Sequence, residues 1–379
     1  MNKRVIFFFP ATLTSSGQSA SKIRPRKMLK ALRQKGYQVY LIHGSYQARL
    51  KRIKVIEKKL KNGFDFEFLY SEALTIPYHL SEPNHWPRFF IKEILFFRKL
   101  NRFKVPLFCF YRDIYWRLKD MDLESSKVVS FIKKPFYYIE LIFLKKFDKV
   151  YLPSNQMKKH IPVLRLGNME ELPPACENFV ANESERSTKF SSMKEKASSI
   201  SNAKKRIKIL YVGGLSDGYP MQLLFEVIRQ DPDVELTICT RKEDWFKSKE
   251  KYILSDNISI VHESGRSLIP LYEAADVCSL VFEPQEWRSF AFPYKFFEYI
   301  ENRKPILAVK ETPPARLIEK YGIGVVVDYT LESLLNGIEE LKDRQFIESC
   351  RENIEQVPKY ESWTSRVEKL QDIANQINR

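Results

Sequence analysis

The stretch Phe290-Ala-Phe-Pro293-Tyr-Lys295-Phe-Phe-Glu298-Tyr-Ile300, followed by Lys304-Pro305-Ile-Leu-Ala-Val309, predicts a loop, a helix that begins near Pro293 and a short buried strand. A helix N-terminus offers backbone N–H groups and about half a positive charge to an anion. Lys295 in the first turn adds a full charge, and Glu298 one turn later would accept hydrogen bonds from a diol such as ribose. A diphosphate beside a ribose is the common part of nucleotide diphosphates. The stretch therefore predicts a nucleotide-sugar site.

A resemblance to a known family rests on the same residues. The pattern Pro293-x-Lys295-x-x-Glu298-Tyr, with Pro305-Ile after a short gap, resembles the donor-site signature of GT-B glycosyltransferases. It is most similar to the retaining, family-4-like enzymes (glycosyl transferases group 1). The resemblance covers most of the chain and is strongest over residues 207–310. A plainer interpretation stays open, in which an amphipathic helix only buries its apolar face in a core.

Length and composition indicate a globular chain of two domains. The 379 residues exceed what one core of typical size accommodates, and 44% of them are hydrophobic. The longest apolar runs fall short of the roughly 20 residues that a transmembrane helix needs. Five scattered cysteines, without a Cys-x-x-Cys pair, favour a reducing compartment over a disulfide scaffold or a zinc site. We therefore expect a cytoplasmic protein.

The positive charge is confined to the N-terminal part of the sequence. The chain has a net charge of +16, yet residues 1–150 hold 31 Lys and Arg against 12 Asp and Glu, a net of +19. The remainder has a net charge of −3. This part should attract an anionic partner such as a membrane surface, a lipid diphosphate or nucleic acid. The alternative is a basic surface that only confers solubility.

Two βα arrays in series predict the fold class. Residues 5–9 and 39–43 are strand-like and flank a helical pattern over residues 23–34, which is how a parallel sheet begins. The alternation restarts with a strand over residues 207–212. Two independent arrays predict an α/β protein with two Rossmann-like doubly wound domains that face each other across a cleft. A ligand would lie at the carboxyl ends of the strands.

Composition also predicts the domain boundaries. Residues 1–180 form the acceptor-side domain, and the Ser-, Lys- and Glu-rich residues 181–206 form a flexible linker or an insertion. Residues 207–357 form the nucleotide-sugar-binding domain. The tail, residues 360–379, has a helical pattern. The resemblance implies that this helix packs back on the first domain, whereas packing on its own domain is the alternative.

The resemblance assigns donor-binding roles to Gly213 and Gly214, and to Pro293 and Tyr294 beside Lys295. A turn that approaches a base or phosphate closely needs glycine, because any Cβ would intervene. The resemblance also implies that no metal takes part, and that the only co-substrate is a nucleotide diphosphate sugar, with no separate cofactor.

Two departures from the family pattern affect this assignment. Relatives carry Arg or Lys shortly after the glycine turn, whereas this chain has Leu215-Ser-Asp-Gly-Tyr219. Arg241, at the end of the next strand, is the candidate replacement together with Lys295, and a surface arginine is the alternative. Phe290 occupies the position of the glutamate that holds the donor sugar in the family. The identity of the sugar and the activity of the isolated chain therefore stay open.

The acceptor-side candidates follow strands of the first domain. Gly17 and Ser19 resemble an acceptor-facing glycine loop, although an ordinary βα loop is equally compatible with them. Arg112 and Asp113 end the apolar run over residues 104–111, so their side chains should point into the cleft. Asp113 would orient or deprotonate an acceptor hydroxyl, and Arg112 would pair with a phosphate. Alternatively, the two form an ion pair with each other.

Two further patterns have competing interpretations. Residues 86–104 place Trp86, Phe90, Ile94 and Phe97 at helical spacing among six basic residues, which is typical of a helix in a bilayer interface. The alternative is a helix buried in its domain with a solvated basic face. The pair in Asp231-Pro-Asp233 resembles a metal-binding motif, but turns favour these residues for conformational reasons. We predict no metal site.

The predicted function is a metal-independent, retaining glycosyltransferase with Asp113, Arg241 and Lys295 as catalytic residues. Its partners would be a nucleotide-sugar donor, a glycan or lipid-linked acceptor, and an anionic membrane at which it takes part in polysaccharide biosynthesis. It would act as a peripheral membrane protein, alone or in an oligomer with itself or another glycosyltransferase. The alternatives are a sugar-nucleotide epimerase and a non-catalytic subunit, which the change at Phe290 motivates. A nucleic-acid-binding protein is disfavoured because no binding module is recognisable.

Overall fold

The computed structural model describes residues 3–14, 20–82, 91–118, 127–161, 166–177, 206–215 and 219–377. The chain divides into two compact units. The first comprises Met1–Pro174 and Trp363–Arg379, and the second comprises Ala175–Ser362. Each unit contains one six-stranded parallel sheet with helices packed against it. The predicted α/β class with two doubly wound units is confirmed.

The sheet of the first unit is parallel throughout. Its strands are β1 (Arg4–Phe8), β2 (Gln38–Ile42), β3 (Phe68–Glu72), β4 (Leu107–Phe110), β5 (Lys149–Leu152) and β6 (Met169–Glu171). They lie in the order β2-β1-β3-β4-β5-β6. The central strands are nearly all apolar and buried because helices cover both faces of the sheet.

In the described part of this unit, five α-helices pack against the sheet: α1 (Ala20–Gln34), α2 (Tyr46–Lys61), α3 (Ile91–Arg102), α4 (Lys127–Leu144) and the C-terminal helix (Trp363–Ile377). Right-handed crossovers place α2, α3 and α4 on one face of the sheet and α1 on the other, since the strand order reverses after β2. The C-terminal helix packs on α1, and Lys35 on α1 forms an ion pair with Glu368 at 2.7 Å. This helix therefore completes the first unit.

The second unit repeats the architecture. Its strands are β7 (Ile207–Val212), β8 (Val234–Cys239), β9 (Ile258–Val261), β10 (Val277–Leu280), β11 (Ile306–Val309) and β12 (Gly324–Val327). They lie in the order β12-β11-β10-β7-β8-β9. Its helices are α5 (Gln222–Gln230), α6 (Lys242–Ser248), α7 (Leu268–Ala274), α8 (Lys295–Glu301), α9 (Pro313–Tyr321), α10 (Leu331–Leu341) and α11 (Arg344–Gln356).

The differences from the sequence-based elements have local causes. The strand predicted over residues 104–111 is shorter, because Lys104 has a left-handed φ of 55° and Pro106 lacks an N–H for the ladder. Strand β3 escaped prediction because Ser71 and Glu72 interrupt its apolar pattern, yet both are buried. Within the described residues, no helix combines the length and the apolar character needed to cross a membrane.

Candidate functional site

The loop before α8 and the helix itself form the centre of the candidate donor site in the second unit. Tyr294 is the N-cap of α8, and the buried side chains of Phe296, Phe297 and Ile300 anchor the helix in the core. The Tyr299 hydroxyl also accepts a hydrogen bond from the Val212 N–H at the end of β7. The interpretation of this segment as a core-packed amphipathic helix is thus correct. This interpretation is compatible with a donor site, because the same packing fixes the orientation of the other face of α8, which carries Lys295 and Glu298.

Lys295 on that face lies directly over the tip of β7. Its Nζ donates a hydrogen bond of 2.7 Å to the Tyr211 hydroxyl and lies 4.1 Å from the centre of the Tyr211 ring. The Tyr211 hydroxyl in turn donates to the Gly214 carbonyl at 2.7 Å. This relay connects the lysine of one predicted motif with the glycine turn of the other.

Gly213 leaves the space that the lysine occupies. Its φ is +155°, and a methyl group at this position would overlap the Lys295 ammonium and lie 2.7 Å from the Tyr211 hydroxyl. A side chain at residue 213 would therefore displace the cation. The glycine allows this close approach, but the approaching group is a side chain of the protein itself. The predicted approach of a donor base or phosphate stays a prediction.

Arg288 is a second cation at this place, and sequence reasoning missed it. It lies on the 3₁₀ helix Glu286–Ser289, is 7% exposed, and packs its guanidinium 4.5 Å from the Phe282 ring centre and 5.0 Å from that of Tyr219. Burial lowers its pKa to about 10. The signal was a basic residue just before the motif, but sequence alone does not indicate that it turns inward.

The electrostatics of the site follow from these two cations. Burial, together with the nearby charge of Arg288, lowers the pKa of Lys295 to about 7, and the Glu298 carboxylate partly opposes this shift. Burial raises the pKa of Glu298, against the effects of the Tyr272 hydroxyl and the Lys295 ammonium. Two basic side chains thus lie close together here, and an anionic ligand between them would offset their mutual repulsion and favour the protonated form of Lys295.

Arg241 lies at the rim of this region. Its side chain is 77% exposed and forms an ion pair with Asp244 at 3.4 Å. The Asp244 carboxylate lies close to Gly214, 3.4 Å from where a Cβ would be. The structure therefore positions Arg241 on the surface near the glycine turn, as the alternative interpretation of a surface arginine expects. Its predicted catalytic role stays a prediction.

Phe290 belongs to the interior of the second unit. The side chain is 1% exposed, so an apolar ring fills the position at which the family resemblance leads us to expect a glutamate. The backbone N–H of Ala291 bonds to the Trp287 carbonyl and fixes the chain before Pro293. A donor sugar would find no carboxylate at residue 290.

In the first unit, Asp113 is buried at the carboxyl end of β4. The Thr75 hydroxyl donates a 3.0 Å hydrogen bond to it. Burial raises its pKa to about 6, while the charge of Arg112 opposes the shift. Nearby Glu140 on α4 accepts from the Tyr78 N–H at 3.0 Å, and burial raises its pKa to about 8. Asp113 is therefore a carboxyl group that changes its charge near neutral pH.

Arg112 takes part in a buried ion-pair cluster. Its Nη2 lies 3.6 Å from the Glu72 carboxylate, which also pairs with Arg24 at 3.4 Å. Arg24 stacks 3.5 Å from the Phe110 ring centre. The partner of Arg112 in this cluster is thus Glu72 rather than Asp113. Binding of a phosphate by Arg112 stays a prediction, and Gly17 and Ser19 lie outside the described residues.

Two further sequence hypotheses meet different outcomes. Trp86 and Phe90 lie outside the described residues, but Phe97 is buried, 5.2 Å from the ring of Phe8. Phe97 therefore belongs to the core, and its assignment to a bilayer-facing side is wrong, whereas Ile94 is partly buried. Asp231 accepts from the Asp233 N–H and pairs with Lys342 at 2.7 Å, which explains this pair by turn structure.

Sequence comparison identifies a known domain in the second half of the chain. Residues 192–359 match the model of the family described as Glycosyl transferases group 1. This range contains the glycine turn, Arg288 and the whole of α8. No curated protein matches the chain in sequence.

Solved structures resemble the chain over its full length. A sucrose-phosphate synthase from Thermosynechococcus elongatus is 14% identical with a TM-score of 0.61, covering 99% of both chains. A glycosyltransferase from Rickettsia africae is 15% identical with a TM-score of 0.63, covering 100% of both. WaaG, a glycosyltransferase involved in lipopolysaccharide biosynthesis, is 14% identical with a TM-score of 0.53, covering 98% of this chain and 99% of that one. At such identities the likeness establishes the shared GT-B fold.

Proposed function

We propose that this chain, which has the GT-B fold and matches the group 1 glycosyltransferase model over residues 192–359, is a glycosyltransferase. It would transfer a sugar from a nucleotide diphosphate sugar to a hydroxyl group of a glycan, a glycolipid or a lipid-linked acceptor. The observation that carries the proposal is the position of Lys295. Its ammonium lies over the glycine turn beside Arg288, in a partly buried environment. A diphosphate there would meet two cations that need little reorganisation.

The role of these cations is to stabilise the leaving group. Cleavage of the anomeric C–O bond transfers negative charge to the diphosphate, and fixed cations stabilise this charge more in the transition state than in the bound donor. Bound diphosphate also favours the protonated form of Lys295, whose pKa of about 7 would then rise. The protein supplies the cation charge through Lys295 and Arg288, with Arg241 at the rim.

Glu298 is the proposed ribose-binding residue. It lies one turn after Lys295 on α8, so a diphosphate at the lysine places the attached ribose toward the carboxylate. A carboxylate that accepts two hydrogen bonds from the ribose hydroxyls would select ribonucleotides over deoxyribonucleotides.

The first unit is the proposed acceptor domain. Asp113 would accept a hydrogen bond from the attacking hydroxyl and orient it, which its buried position at the end of β4 supports. The resemblance to family-4-like enzymes implies retention of configuration, with the donor phosphate helping to take the acceptor proton. The basic character of this unit suits an acceptor that carries phosphate or lies at an anionic membrane.

The phenylalanine at position 290 favours a hetero-oligomer as a second possible form of the enzyme. Because no carboxylate is present at this position, a second glycosyltransferase subunit would complete the sugar subsite in a hetero-oligomer. An enzyme that acts alone must hold the sugar through other groups.

The test is a transfer assay with the purified chain, a panel of nucleotide diphosphate sugars and total lipid or glycan acceptors. Release of nucleoside diphosphate together with incorporation of the sugar supports the proposal. Transfer that appears only after co-expression with a second glycosyltransferase supports the hetero-oligomer. Interconversion of the free nucleotide sugar with its epimer, without transfer, would identify an epimerase instead.

A further inference from the structure

The helices α2, α3 and α4 form one layer on the same face of the sheet in the first unit. Lys99 on α3 forms an ion pair with Glu57 on α2 at 3.1 Å. The Phe97 ring on α3 lies 5.3 Å from that of Phe143 on α4. Each helix buries its inner side, through residues such as Ile53, Phe97 and Leu141. The opposite sides therefore form a single outward surface, which we call the outer helical face.

This face is strongly cationic. Each helix contributes exposed basic side chains to it, among them Lys51, Lys54, Lys58, Arg98, Arg102 and Lys134. The described side chains of the three helices include three carboxylates, and none of these is exposed on the face. Glu93 and Glu140 are buried, and partly buried Glu57 is paired with Lys99. The surface thus presents positive charge that carboxylates of its own helices do not neutralise.

Apolar side chains lie among these cations. Ile91 and Leu95 on α3 are 62% and 52% exposed, and Ile142 on α4 is 54% exposed. Ile91 and Leu95 share one helical stripe with Arg98 and Arg102, at spacings of four, three and four residues. The exposed stripe of α3 is thus apolar at its N-terminal end and cationic at its C-terminal end. It lies opposite the buried side of the helix, which contains Phe97.

This combination decides the kind of partner. Cations around projecting aliphatic side chains match the interface of an anionic bilayer, where headgroups pair with the charges and the apolar tips enter the acyl boundary. A nucleic acid would use the cations, but it offers isoleucine and leucine side chains no apolar phase to enter. We infer that the outer helical face docks the protein on an anionic lipid bilayer, with Ile91, Leu95 and Ile142 inserted among the headgroups. The inference does not depend on the proposed transfer reaction.

A vesicle-binding experiment with two matched charge variants tests the inference. One carries Lys54→Glu, Arg98→Glu and Lys134→Glu on the outer helical face. Its control carries Lys22→Glu, Lys30→Glu and Arg33→Glu, an equal change of net charge on α1 across the sheet. Since each basic residue near an anionic membrane strengthens binding about fivefold, the first variant should lose at least about 100-fold in partitioning into phosphatidylglycerol-containing vesicles. The control should bind within about threefold of the native protein.

A third variant separates insertion from charge. Ile91→Gln, Leu95→Gln and Ile142→Gln retain every charge, and partitioning should still fall by at least about tenfold because the apolar contribution is removed. Circular dichroism and thermal unfolding check that each variant is folded, which is expected because the substituted side chains are exposed. Equal losses in the face variant and the α1 control would contradict the inference, because the effect would then follow net charge alone.

Site-specific labelling provides the direct test. All five native cysteines are buried, so a single Leu95→Cys substitution allows selective attachment of an environment-sensitive fluorophore. Emission should rise and shift to the blue with anionic vesicles, whereas a label at Lys30→Cys should not respond. An unchanged spectrum at residue 95 during vesicle binding would overturn the inference. Binding to RNA in preference to anionic vesicles would overturn it as well.

Discussion

The Lys295 ammonium donates a 2.7 Å hydrogen bond to the Tyr211 hydroxyl, which itself donates to the Gly214 carbonyl. This relay joins α8 to the tip of β7 and holds the cation over the glycine turn. Removing an ammonium group partly from water costs free energy, and this cost is reflected in the pKa of Lys295, which is lowered to about 7. The charged lysine therefore lowers the free energy of unfolding, as is common for charged residues that bind a ligand.

Replacing the lysine should stabilise the free protein. The pKa of Lys295 falls from 10.5 in the unfolded chain to about 7 in the folded one, so between these values the unfolded chain binds more protons. Stability from this group thus rises with pH across the window and is lowest below pH 7. Lys295→Met should raise the free energy of unfolding by about 2–4 kcal/mol at pH 7.

Urea unfolding at two pH values measures this effect. The advantage of Lys295→Met over the native protein should shrink by about 2 kcal/mol between pH 7 and pH 9, because the native lysine loses its proton in the folded state. Lys320→Met is the control, since that lysine is exposed. An advantage that does not change with pH would indicate packing rather than the buried charge.

A methyl group at Gly213 should displace the lysine. Gly213→Ala introduces a Cβ that overlaps the Lys295 ammonium, so affinity for nucleoside diphosphate should fall at least about tenfold by calorimetry. Gly265→Ala is a matched control, because Gly265 also has a positive φ, of 59°, but no atom lies within 4 Å of the added methyl. If the two variants bound nucleoside diphosphate with equal affinity, the position of Lys295 over Gly213 would not matter for binding.

Removing the Glu298 carboxylate should weaken ribose recognition specifically. Glu298→Ala should lower affinity for a nucleoside diphosphate by about 10- to 100-fold, the contribution of hydrogen bonds to a charged group. The 2′,3′-dideoxy analogue should bind the native protein and the variant almost equally. If the variant lost as much affinity for the analogue as for the ribonucleotide, the carboxylate would not contact the ribose.

Asp113 should control the acidic limb of the pH–rate profile. Because its pKa is raised to about 6, the carboxylate form grows as pH rises through 6, and acceptor-limited turnover should rise with it. Asp113→Asn keeps the acceptor oxygen for Thr75 but should lower turnover about 100-fold or more. Glu140→Gln is the control at pH 7, since the pKa of Glu140 is raised to about 8 and its carboxyl group is neutral there. An unchanged acidic limb in Asp113→Asn would exclude the role.

The repeating elements of this fold were predictable from sequence, whereas several side-chain positions were not. Strand β7, the glycine turn and α8 follow from apolar runs, glycine and periodicity, which are local signals. Arg288 was missed because its inward orientation depends on the rings of Tyr219 and Phe282, which come from other parts of the chain.

Helix α3 illustrates the same limit. Periodicity correctly separated an apolar side with Phe97 from a basic side, but burial depends on what covers each side. Phe97 is buried in the core, whereas Ile91 and Leu95 are exposed among the basic residues. Sequence patterns thus indicate which residues share a face, and only tertiary packing determines which face meets solvent or a partner.

Calorimetric binding of a nucleoside diphosphate to the native protein, to Lys295→Met and to Arg288→Met measures whether these two cations hold the donor diphosphate. We expect saturable binding by the native protein and a loss of at least about 100-fold in Lys295→Met, with a smaller loss in Arg288→Met. Melting temperatures recorded in parallel show that the variants are folded. Native-like affinity in both variants would contradict the claim that these two cations hold the donor diphosphate.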